Sequence, residues 1–186
     1  MLELNPRDNQ GHRDYLLGVY LALNDLDGAA GLYRQYDDDS AVFVWGRVFL
    51  LMLRGRRKEA RTALTEAFHN NPWTAAFLFG ERAPDDPDSW GVGDEDEGDH
   101  AASALLPACA QHPDIVVWIA KEGLEVMQGL MASGPGPGAS PLTSQRLRGL
   151  DALQPRALNG TLHQAGGQHF SQQSIDRAEA RWIRRL

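Results

Sequence analysis

Between residues 13 and 69 the apolar side chains fall at helical spacing in four successive stretches. The first, 13–23, runs through DYLLGVYLAL and stops at Asn24-Asp25, a pair that favours turns. The second begins near Asp27 and places Ala29, Leu32, Tyr33 and Tyr36 at i, i+3, i+4 and i+7, the stripe of an amphipathic helix. YDDDS interrupts the pattern and offers Ser40 as an N-cap. The third stretch, 41–53, reads AVFVWGRVFLLML and is apolar almost all round, which predicts a helix covered on both sides. Gly55 ends it. The fourth, 58–69, lines up Ala60, Ala63, Leu64, Ala67 and Phe68 and closes in NNP.

Three further helices are expected downstream. One is short, 74–82, and is stopped by Pro84; the loop PDDPDSWGVG follows. The next, from DEDEGDHAASALL, has its acids at the N-terminal end, where they complement the macrodipole, and Pro107 is expected to end or kink it. The last runs from a cap at Asp114 to about Met131, with Val116, Ile119, Ala120, Leu124, Met127 and Met131 inward. SGPGPGASPLTSQ then changes the character of the chain to a Gly/Pro/Ser linker. Residues 133–170 are expected to be mostly disordered. SQQSIDRAEARWIRRL is expected to form an amphipathic terminal helix, with Ser171 or Ser174 as cap and Ile175, Ala178, Trp182 and Ile183 on one face. The division is therefore a helical domain over 1–132 and a linker with tail over 133–186.

The first two pairs of helices share a register. Asn24, Ala29, Tyr33 and Tyr36 recur 31 residues later as Gly55, Ala60, Leu64 and Ala67. A turn residue, a small residue five on, then bulkier positions facing the next hairpin is the spacing of a helix–turn–helix repeat. The motif resembles the tetratricopeptide repeat (TPR), whose usual period is 34. The shortfall lies in YDDDS, and Pro72 occupies that family's terminal proline position, whereas the first hairpin has Ala41 there. The resemblance implies an all-α fold, a short TPR-like solenoid of antiparallel helix hairpins with a largely disordered tail. In this register the opening MLELNP is the close of an earlier repeat. Met1 is then an internal start, the chain is a fragment, or a degenerate half-repeat is tolerated.

LELNPRDNQG at 2–11, NPWTAAFLFG at 71–80, and the later WGVGDEDEGDH and IVVWIA carry a narrower resemblance. They are similar to a group of small bacterial repeat proteins and, more distantly, to the suppressor-of-tumorigenicity-7 family. The likeness covers about 2–123 and departs at Thr74-Ala75, where that group has Val-Pro. It implies little about activity. The tumour-suppressor relatives have membrane segments, to which nothing in this sequence corresponds.

Composition narrows the partners. The net charge of the 186-residue chain is −7, and 1–132 holds 22 acidic against 11 basic residues, while 133–186 holds 3 against 7. An acidic body argues against nucleic acid as the partner, since phosphate contacts need clustered positive charge. The longest apolar run is the 13-residue stretch 41–53, which contains Arg47; a membrane helix needs about 20 apolar residues. A single cysteine, Cys109, excludes an internal disulfide, and no basic-then-apolar leader opens the chain, so a cytoplasmic protein is expected.

The candidate chemistry is sparse. DEDEGDH, 94–100, fails the calcium-loop template, because its fifth position is Gly98 and its twelfth Leu105. Asp96, Asp99 and His100 fit one helix face and suggest a metal-assisted hydrolase as the alternative function; a solvated, dipole-favoured helix start is the simpler reading. Cys109 and His112 have C-x-x-H spacing, with His163 and His169 as distant further ligands, but neither a zinc site nor a nucleophile pair is completed. No phosphate loop, dinucleotide fingerprint, G-x-S-x-G or H-E-x-x-H is present. No cofactor or metal is expected.

A non-enzymatic protein–protein interaction module or scaffold is the favoured expectation, with a fragment of a longer solenoid as a compatible one. The groove lined by the first helix of each hairpin places Asp14, Gly18, Trp45, Phe49 and Met52 against a protein or peptide partner. None of them clamps a carboxylate terminus, so an apolar ligand with basic flanks is expected. The first helix, with Tyr15, Leu16, Val19 and Tyr20, carries more apolar surface than its own hairpin can bury, which predicts self-association through the N-terminal end.

Overall fold

The computed structural model describes Asp8, residues 11–79 and residues 91–133. The opening stub, residues 80–90 and the tail beyond Ser133 lie outside the described residues, as do the expectations placed on them. The described residues form seven helices and no strand, so the fold is all-α: α1 (His12–Ala22), α2 (Leu26–Gln35), α3 (Ala41–Leu53), α4 (Arg57–Asn70), α5 (Trp73–Leu78), α6 (Glu95–Gln111) and α7 (Pro113–Ser133).

The 31-residue register is visible in the backbone. Asn24 and Gly55 both take the left-handed conformation, with φ of 58° and 71°. In the first turn Asp25 N–H donates to the Tyr20 carbonyl and Asn24 N–H to Leu21; in the second Arg56 N–H donates to Leu51 and Gly55 N–H to Met52. Each bond of one turn is thus the other's shifted by 31 residues. This paired closure satisfies the orphan carbonyls at a helix end and needs a residue that tolerates positive φ, which Asn and Gly supply. Ala29 and Ala60, the small residues five positions on, are both fully buried.

α3 is enclosed, as its all-round apolar pattern predicts: it packs on α1, α2, α4 and α6, and of its residues only Arg47 is exposed. Its N-terminus differs from expectation. Ser40 sits at the cap position but makes no capping side-chain bond. The Ala41 N–H instead donates to Glu97 Oε1 of α6, at 3.2 Å. A distant carboxylate thus replaces the local hydroxyl.

α6 also runs further than its sequence suggests. It continues through Pro107 to Gln111. Proline removes one N–H and crowds the preceding turn. Here Ala108 and Cys109, just beyond it, are fully buried, and that tertiary burial holds the last turn in helix. α7 begins at Pro113, the first-turn position where a missing N–H costs nothing, with Asp114 in its first turn.

Candidate functional site

The surface on which sequence reasoning placed a partner is occupied by the chain itself. α6 packs on α1, α3 and α5 together. Two contacts with the same 86-residue offset, Asp14 with His100 and Gly18 with Ala104, show that α6 runs in the same direction as α1. The approach at the second is backbone to backbone: a Cβ on Gly18 would lie 1.9 Å from the Ala104 carbonyl oxygen. Only a glycine lets α6 settle this deeply.

Trp45 and Phe49, expected to line the groove, are core residues with 0 % exposure. Trp45 stands edge-to-face on Phe68 and donates its indole N–H to the Asn71 carbonyl at 2.9 Å. Gly18 is buried under α6. Met52 is half-buried against the core. Asp14 is half-buried and accepts a 2.9 Å hydrogen bond from His100 Nε2. Of these five residues, Gly18, Trp45 and Phe49 are buried, while Asp14 and Met52 keep part of their surface open. Of the apolar residues singled out on α1, Tyr15, Leu16 and Tyr20 are half-buried against the shared core and Val19 is 42 % exposed.

Three polar anchors fix α6 along this face. At its start Glu97, only 5 % exposed, accepts from the Ala41 N–H through one oxygen. Its other oxygen accepts from Asn71 Nδ2 at 3.0 Å and from the Gly93 N–H at 2.6 Å. Asn71, fully buried, also donates to the Asp94 carbonyl and accepts from the Trp73 N–H. The second anchor is His100 on Asp14, with the Tyr15 ring edge-on to the imidazole at 5.4 Å. At the far end His112 Nε2 donates to the Leu21 carbonyl at 3.0 Å, so that nitrogen carries the proton.

These anchors redistribute the residues proposed for chemistry. Asp94 caps α6 by accepting from the Glu97 N–H. His100 faces Asp14 of α1, and among the described residues no group of three or more His, Cys, Asp or Glu is placed to hold a metal ion. Cys109 is buried, and burial pushes its thiol up to about 12, far from the reactive thiolate range. His112 is tied to α1. His163 and His169 lie outside the described residues.

Glu97 and Asn71 are the residues that reading the sequence missed. The acidic run reads as solvated, yet stepping back four residues along the buried stripe of Leu105 and Ala101 lands on Glu97. Asn71 reads as part of a helix stop, which it is; nothing local reveals that its side chain joins two helices.

No protein-family model, curated protein or solved structure matches this chain.

Proposed function

We propose that this chain is a short, TPR-like helical-repeat scaffold that binds a protein or peptide partner and has no catalysis of its own. The observation that supports it most is that the inner face of α1, α3 and α5 receives a helix lengthwise, by close small-residue contact and polar anchors at both ends. Helix-in-groove recognition uses the same contacts. The two hairpin turns with identical closure favour the repeat reading. No described helix is long and apolar enough to cross a membrane, and the one thiol is free and buried; both agree with the cytoplasm as the working location.

A partner at the inner face must take the place of α6. A fluorescent peptide of residues 94–112, added to the full chain, is expected to bind slowly, and faster to a His100→Ala variant whose resident helix is less firmly held. Binding of a scrambled peptide equally well, or no binding to either protein, would reduce this face to plain core and remove the support for the reading.

A further inference from the structure

Among the described residues, exposed charges without an ionic partner are mainly basic at one end of the molecule and mainly acidic at the other, with Arg34 in the last turn of α2 and Asp27 and Asp114 near the turns as exceptions. Arg13 with Asp38, Asn70 with the Asp39 carbonyl, and Glu97 with Ala41 gather the starts of α1, α3 and α6 and the ends of α2 and α4 at one end. Arg54 donating to the Leu26 carbonyl, and His112 to Leu21, gather the two hairpin turns at the other.

The turn end carries RGRRKEAR, 54–61, which holds five of the nine Lys and Arg side chains among the described residues. Arg56 pairs with Glu59, and Arg61 with Glu122 and Glu125. Arg57 and Lys58 are exposed and have no acidic partner among the described residues. Both sit in the first turn of α4, where the macrodipole disfavours cations. Such a local conflict is expected where a surface serves a contact. Asp25, Asp27 and Asp114 lie near this end; Asp25 is spent capping α2. The opposite end is acidic, and there Asp37, Asp39 and Glu95 are exposed with no cationic partner among the described residues.

We propose that the chain associates head to tail with a second copy, Arg57 and Lys58 of one meeting the acidic end, with Asp37 and Asp39, of the next. A polyanion such as nucleic acid is the lesser fit, because the same molecule is net −7 and would repel phosphate away from the one basic edge. A contact between two different surfaces is not a two-fold dimer contact; repeated head to tail it builds a ring or an open series of sizes.

Sedimentation velocity on the full chain tests this at about 0.02 M and about 0.5 M salt, conditions that differ severalfold in screening length. The weight-average mass is expected to rise with concentration at low salt and to return to the monomer at high salt. Arg57→Glu/Lys58→Glu and Asp37→Lys/Asp39→Lys are each expected to abolish association, and mixing the two is expected to restore it. The second variant is decisive alone: it lowers the net charge from −7 to −3, so general repulsion predicts more association where head-to-tail contact predicts less. A wild-type chain that stays monomeric at low salt overturns the proposal. Salt-insensitive association, or a mixture that remains monomeric, overturns it equally.

Discussion

The hairpins α1–α4 and the helix α6 lie in one core but are specified differently. Within the hairpins each element meets its neighbour in sequence, and the turn that joins them carries its own closure in Asn24 or Gly55. α6 meets partners 26 to 91 residues away: Asn71, Ala41, Asp14 and Leu21. Local periodicity and turn chemistry are enough to fold the first kind of unit. The second depends on shape at single points and on buried polar groups whose partners are far along the chain.

The two kinds of glycine contact give the largest expected effect. A Cβ on Gly46 of α3 would meet Leu17 Cδ2 at 2.7 Å and the Tyr33 hydroxyl at 3.1 Å. The first of these is the end of a side chain that can turn aside, and Ala gains about 1 kcal/mol of helix propensity over Gly. Gly46→Ala is therefore expected to change stability by less than about 1 kcal/mol. At Gly18 the obstacle is the Ala104 carbonyl, which cannot turn aside without moving α6. Gly18→Ala is expected to cost about 2–3 kcal/mol despite the propensity gain. Denaturant unfolding reads both values. Hydrogen exchange should show α6 opening in Gly18→Ala before α2 and α4 do. Equal costs at the two sites would erase the distinction between hairpin and inserted helix.

That contrast also accounts for what was legible in the sequence. The all-α class, the bounds of α3 and the two hairpin turns follow from spacing and turn residues, each encoded within about 15 positions. The position of α6 does not. Its small residues, Gly98, Ala101, Ala104 and Ala108, say that something approaches closely without saying what. Trp45 and Phe49 fit an aromatic groove and a buried core equally well by periodicity; in the structure both are core, Trp45 packed on Phe68. The acidic start of α6 hid Glu97, because a carboxylate among carboxylates reads as solvent-facing.

Glu97 gives the next effect in size. Both its oxygens accept: one from the Ala41 N–H, the other from Asn71 and Gly93. Glu97→Gln keeps the shape but replaces one acceptor by an NH2 group, leaving at least one donor facing another donor. The expected cost is about 1–3 kcal/mol, the range for a buried polar group left unsatisfied. Calorimetry of the variant checks it. A neutral result would mean that α6 is held by packing alone, and that its polar anchors add nothing to what the hairpins already have.

The smallest effect lies on the hairpin side, at the link between the start of α1 and the loop after α2. Burial by itself would raise the Asp38 carboxyl, but hydrogen bonds from Ser40 and the Arg13 guanidinium outweigh it, so the group is held below its ordinary range. A carboxyl depressed by folding adds stability that is fully present above its unfolded pKa, about 4, and is lost as pH falls through the lower folded value. Asp38 is partly open to solvent, so the contribution is expected to stay under about 1 kcal/mol. Melting temperatures of the wild type and Asp38→Asn should therefore differ by a small constant amount near neutral pH and converge below about pH 4. Because Arg13 stacks on Tyr36 as well as pairing with Asp38, its aromatic contact survives the substitution, and the variant reports the ion pair rather than the docking of α1. A gap that persists into acid would assign the stabilisation to hydrogen-bond geometry, not charge. A gap as large as that of Glu97→Gln would mean that the hairpins, too, lean on a single buried polar link.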